Sequence, residues 1–152
     1  MNKLILKSSA LKNNEFIPSK YTCDGENVNP LFEIKNAPEN TKSFVLIMDD
    51  PDATGGTTWN HWLLFNINPQ TQYIEQGSVP DNAGQGANSW GKTEYGGPCP
   101  PRGSKPHHYM FKLYALDAEL NLENGASKTE IEKAITEHIL DQTVLIGLYQ
   151  RK

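Results

Sequence analysis

Half of the glycine and proline in this chain falls in one stretch. Residues 80–106 hold 11 of the 22, running from Pro80 through Gly96-Gly97-Pro98-Cys99-Pro100-Pro101 to Pro106. Neither helix nor strand can run through such a segment, because proline removes backbone donors and glycine weakens element interiors. Loops of this length are uncommon in compact domains and are usually functional or disordered. Trp90 and Tyr95 give this one something to bury, so an ordered, functional loop is expected.

The sequence on either side of the loop reads mostly as strand. Ser43–Asp49 is a short apolar run ending in acids, and His61–Ile67 is a second run. His108–Leu116 alternates, with Tyr109, Phe111, Leu113 and Ala115 on one face, and Thr143–Tyr149 is rich in β-branched residues. One helix is expected from Ser127, where Ser127 and Glu130 have the spacing of a capping box. Ile131, Ala134, Ile135, His138 and Ile139 then continue as an apolar stripe, with His138 partly buried on it. Strands and helices do not alternate regularly, which disfavours a doubly wound sheet. The fold class expected is mostly β: a β-sandwich with a peripheral helix near the C-terminus.

With 152 residues, one domain spanning 1–152 is expected, large enough to fold without a disulfide or metal scaffold. The net charge of −4 and the scattered Lys and Arg argue against nucleic acid as a partner. The longest apolar run, Phe44–Met48, is far too short to be a transmembrane segment. The start, Met1–Lys7, has too short an apolar part for a secretory signal, so a cytoplasmic protein is expected, or a periplasmic one if a signal has been removed. Cys23 and Cys99 stand 76 positions apart, unlike paired zinc ligands. If paired they would stabilise the fold by roughly 4–5 kcal/mol, but in a reducing compartment two free thiols are expected.

Catalytic motifs are missing. No serine has a G-x-S-x-G setting, and there is no phosphate-binding G-x-x-x-x-G-K-[ST], H-E-x-x-H or dinucleotide fingerprint. A hydrolase would have to use Cys99 with His61 or His107, and a metal-dependent phosphoesterase would need Asp50, Asp52, His61 and His107 around one centre. Neither arrangement is demanded by the spacing, so no enzyme activity, no catalytic residue, no metal and no cofactor is expected. The alternative is that acids and histidines at strand ends, beside a loop full of backbone N–H groups, converge on a small polar pocket. Neutral imidazole with carboxylate would suit a metal, and imidazolium with backbone N–H an anion.

Several segments together resemble the phosphatidylethanolamine-binding protein (PEBP) family, in particular its bacterial Raf-kinase-inhibitor-like branch. They are Ile17–Asn27, Asp50-Pro51-Asp52-Ala53, Trp59-Asn60-His61-Trp62, Tyr95–Pro101, His107-His108-Tyr109 and Tyr114–Asp117, in family order across nearly the whole chain. The resemblance implies a PEBP-like β-sandwich with Greek-key sheets and a pocket for phosphate or a phospholipid head group at one end. By matching motifs, the ligand-binding residues would be Asp50, Asp52, Trp59, His61, Gly97, Cys99, Pro100, Pro101, His107 and Tyr109. Asp50 and Asp52 would act as acceptors that orient His61 and His107 and favour their charged forms. Two positions depart from the pattern. Thr54 replaces the second proline of the acidic loop, and His108 replaces the arginine between His107 and Tyr109, on the strand face opposite Tyr109. The resemblance leaves room for regulation of a kinase or protease partner, names no target, and allows a homodimer, since some bacterial relatives are dimers.

Overall fold

The computed structural model describes residues 3–152; the first two positions of the Met1–Lys7 stretch lie outside it. Its centre is β4 (Ser43–Asp50), buried at all eight positions, hydrogen-bonded antiparallel to β5 (Trp59–Ile67) on one side and β8 (His107–Leu116) on the other. β9 (Ile139–Tyr149) follows β8, and short β2 (Glu15–Phe16) and β7 (Gly84–Gln85) close the edges in the order β2-β9-β8-β4-β5-β7. A smaller sheet is built from β1 (Ile5–Lys7), β3 (Phe32–Lys35) and β6 (Tyr73–Ile74) in the order β1-β3-β6. After β5 the chain crosses to the small sheet at β6. The Gly/Pro segment then lays the two-residue strand β7 beside β5, a short strand that forms there despite the glycines. It carries the chain on to β8 on β4's other side, which gives the non-sequential neighbours expected of Greek-key sheets.

Alternation along β4 explains why the sequence runs apolar almost without break. Phe44, Leu46 and Met48 face the small sheet and meet Leu6, Phe32, Ile34 and Ile74. Val45 and Ile47 face the other way and meet Leu63, Phe65 and the helix α1 (Lys128–Ile135) through Ile131 and Ile135. A central strand covered on both faces must be apolar on both, and each fully buried large aliphatic side chain contributes about 1.5–3 kcal/mol. At the end of β4 the alternation continues into acids: Asp49 points to the helix face and Asp50 to the small-sheet face.

The capping box forms as the spacing predicts. The Glu130 N–H donates to Ser127 Oγ at 3.1 Å, and the Ser127 N–H donates to the Glu130 carboxylate at 3.1 Å. The apolar stripe, however, is not all helix. α1 stops at Ile135, and Ile139 pairs with Leu116 as the first residue of β9. His138 sits in the turn between them, its N–H donating to the Ile135 carbonyl and its Nδ1 donating to Asp117 at 2.8 Å. Its side chain, 43% exposed, is partly buried as expected, but in a turn beside Asp117 rather than on a helical stripe. Pairing with β8 outcompetes one further turn of helix.

Candidate functional site

β4, β5 and β8 end side by side and together deliver four polar side chains to the same small space. β4 supplies Asp50, β5 supplies His61, and β8 supplies His107 and Tyr109. These four side chains are almost wholly buried, with Asp50 4%, His61 3%, His107 6% and Tyr109 0% exposed. Trp59, Trp90, Cys99, Pro100, Pro101, Ala53 and Thr54 complete the lining of a pocket of about 240 Å³.

The two histidines are fixed in the same manner by different groups. His107 Nδ1 donates to Asp50 Oδ2 at 2.7 Å, and His61 Nδ1 donates to the Gly96 carbonyl at 2.8 Å. A carbonyl and a carboxylate can only accept, so both Nδ1 atoms carry protons and both Nε2 atoms remain for another partner. Asp50 is held in turn, since its Oδ1 accepts the Asp52 N–H at 2.8 Å across the Pro51 turn. Tyr109 packs between the rings, stacked on His107 at 6.3 Å and edge-on to His61 at 5.2 Å between centroids. Its buried hydroxyl lies near enough to Asp50 for that carboxylate to act on it as an acceptor. Within strict hydrogen-bond geometry, however, neither it nor the Trp59 indole N–H has a partner among the described residues.

Electrostatics separates His61 from an ordinary histidine. Burial holds its pKa below the usual imidazole range, outweighing the Gly96 carbonyl and the Asp50 charge, which act upward. His61 is therefore neutral near pH 7, where the carboxylates were expected to favour its charged form. The stability consequence has a definite sign. Above about pH 6.5 both folded and unfolded His61 are neutral. As pH falls from there toward the depressed folded pKa, only the unfolded chain takes up the proton, and stability is lost over that window. Tyr109 is pushed upward, first by burial and then by the Asp50 charge, so its hydroxyl stays protonated.

Eight of the ten residues expected at the site line this pocket: Asp50, Trp59, His61, Cys99, Pro100, Pro101, His107 and Tyr109. Asp52 does not. Its carboxylate leaves the pocket and accepts both the backbone N–H and the Nδ1 of His108, each at 2.8 Å. The His108 backbone N–H, more than any other group, holds Asp52 below the usual carboxylate range. His108 thus ties the acidic loop to β8 from the face opposite Tyr109, a support position as expected. Gly97 is also outside, packed where a Cβ would run into the Tyr21 carbonyl oxygen, with its N–H donating to Asn27 Oδ1 at 2.8 Å. Asp50 orients His107 alone, because His61 is oriented by backbone.

The cysteines are not free. Cys23 and Cys99 form a disulfide, their Cα atoms 5.4 Å apart, beside a hydrogen bond from the Cys23 N–H to the Pro98 carbonyl. The bridge fastens the turn after a 3₁₀ segment at Ser19–Tyr21 to the pocket rim. Trp90, Ala53 and Thr54 were not among the expected site residues. Trp90 is held over the pocket by a tight loop in which Asn88 Oδ1 accepts the N–H groups of Trp90 and Lys92, each at 3.0 Å. An aromatic flanked by Asn88 and Gly91 inside the Gly/Pro segment was the available signal. Among the described residues no group of three or more His, Cys, Asp or Glu is placed to hold a metal ion, and no helix is long and apolar enough to cross a membrane.

Comparison with known proteins gives a consistent result. A family model described as phosphatidylethanolamine-binding protein matches residues 7–150. A UPF0098 protein of Pyrococcus horikoshii is 51% identical over 157 residues, covering 99% of this chain and 79% of that protein. The crystal structure of a PEBP homologue from Chlamydia trachomatis superposes with a TM-score of 0.94 at 34% identity, covering 100% of each chain. That of E. coli YbcL, described as a new member of the mammalian PEBP family, superposes with a TM-score of 0.93 at 29% identity, covering 99% of this chain and 100% of YbcL.

Proposed function

The chain belongs to the phosphatidylethanolamine-binding protein family, and on that premise we propose that it is a small-ligand-binding module whose His61–His107 pocket holds the phosphate of a free ester or a lipid head group. One observation carries the reading. Two buried histidines have Nδ1 locked by Gly96 and Asp50, which leaves two Nε2 atoms and the unpartnered Tyr109 hydroxyl for a ligand in the same pocket. A phosphate oxygen accepts from Tyr109 and from each imidazole that is protonated, and a phosphate still carrying a proton donates to one that is not. Asp50 stands behind His107 and stabilises the imidazolium that an anion would induce.

The pocket offers no nucleophile and base acting together. Cys99, on which a hydrolase would depend, is bonded to Cys23, so binding rather than catalysis is assigned to the site. The bridge also weighs against the reducing cytoplasm and toward an oxidising compartment, hyperthermophiles being the known exception. Regulation of a kinase or protease stays outside this assignment, because a shared fold does not transfer a partner.

Crystals soaked in phosphoethanolamine test the assignment. Phosphate density within hydrogen-bond distance of His61 and His107 Nε2 is expected. Density lying only elsewhere, or a metal between the two rings, would replace it.

A further inference from the structure

Trp90 and Cys99 line the histidine pocket, and the same two residues line a second pocket of about 350 Å³ on their other side. Trp90 and Cys99 form the seam at which the two pockets meet. The Trp90 ring stands edge-on to Trp59 at 5.5 Å and to His61 at 5.0 Å, and its backbone N–H is held by Asn88. A Cβ on Gly96 would strike the indole, so glycine there lets the ring sit close. Although clamped on these sides, Trp90 is 44% exposed. An aromatic fixed this firmly and still open presents a face to a ligand.

The second pocket is also lined by Lys92 and Glu94, both exposed. Among the described residues neither takes part in an ion pair. Their backbone is rigid all the same, because Asn88 accepts from the Lys92 N–H and donates to the Glu94 carbonyl at 2.8 Å. Beside the phosphate pocket, then, lie one unpaired cation, one unpaired anion and an open indole face on a single braced loop.

We infer that the two pockets are halves of one composite site, selective for phosphoserine chemistry: a phosphate ester whose other end carries both an ammonium and a carboxylate. The inference rests on the phosphate reading of the His61–His107 pocket. The ammonium is met by Glu94 and the Trp90 face, and the carboxylate by Lys92. Phosphoethanolamine uses Glu94 and Trp90 but leaves Lys92 unmatched, and inorganic phosphate uses neither half of the second pocket.

Calorimetric titration with inorganic phosphate, phosphoethanolamine and O-phosphoserine tests this on the wild-type chain and on Lys92→Met and Glu94→Gln. Both variants change exposed side chains. Affinity is expected to rise in that ligand order, by roughly two- to fivefold for each added charge, as exposed ion pairs allow. Lys92→Met should erase only the gain of phosphoserine over phosphoethanolamine. Glu94→Gln should weaken both amines and leave phosphate unchanged. Equal affinity for all three ligands, unmoved by either variant, would overturn the composite site and leave the phosphate pocket standing. Failure of all three to bind would overturn both. Co-sedimentation with phosphatidylcholine vesicles containing phosphatidylserine separates the sources of the group. Lys92-dependent sedimentation identifies the lipid head group, and O-phosphoserine binding without it identifies the free ester.

Discussion

Asp49 and Asp50 are neighbours on one strand, both buried, and they serve opposite ends. Asp49, 0% exposed, turns to the helix face and accepts from Lys128 Nζ at 2.9 Å and Lys112 Nζ at 3.2 Å. Asp50 turns to the pocket and accepts from His107 Nδ1 at 2.7 Å. The first carboxylate is held by two lysines from a strand and a helix, which makes a structural contact with nothing left over for a ligand. The second meets a ring whose other nitrogen is still available to a ligand. A buried acid marks a candidate site when its partner has something left to offer, and burial alone does not distinguish the two.

The comparison can be broken from the pocket side first. Replacing both cysteines, Cys23→Ser with Cys99→Ser, frees the rim and should lower stability by about 4–5 kcal/mol if chain entropy dominates. Urea unfolding with and without a dithiol reductant measures it. An unchanged midpoint would show that the rim is held by its hydrogen bonds alone. On the helix side, Lys112→Met with Lys128→Met leaves Asp49 buried without a cation and should cost about 3 kcal/mol, with phosphate affinity of the folded protein unchanged. Affinity falling along with stability would mean that the two faces are not separate.

Asp50→Asn and His61→Ala should show the reverse pattern. Each removes a charge-assisted contact, directly or through His107, worth roughly 1.5–3 kcal/mol, and so should weaken phosphate binding about ten- to a hundredfold. Isothermal titration beside urea unfolding separates this from a general loss of structure. The smallest effect is expected at His138→Ala. Its pair with Asp117 is 43% and 46% exposed, so under about 1 kcal/mol of stability should be lost and binding should not change.

Much of this was legible in the residues. The alternation of β8, the apolar run of β4 and the capping box at Ser127 follow from side-chain pattern. The gathering of Asp50, His61 and His107 in one pocket was implied by the family resemblance and not by their spacing. What was missed depends on groups that pattern does not carry. The Gly96 carbonyl that orients His61 is backbone, and no residue type announces it. The Cys23–Cys99 bridge joins positions 76 apart, a separation that says nothing about proximity in space. Asp52 was grouped with Asp50 because both match the acidic loop of the resembled family, yet one residue of spacing was enough to send it to His108. His138 fits helical periodicity as well as it fits a turn, and strand pairing of Ile139 decided the matter.

The central claim is that the pocket takes an anion and gains a proton in doing so, because burial keeps His61 neutral beforehand. An anion raises the pKa of an imidazole beside it, so binding and protonation support each other. Titrating phosphoethanolamine at several pH values, with a chelator present, tests this directly. Affinity should rise as pH falls from about 8 to 6, and His61→Ala should flatten most of that rise. Affinity that rises with pH instead, or that vanishes with the chelator, would contradict the anion pocket and point to a metal held by neutral histidines.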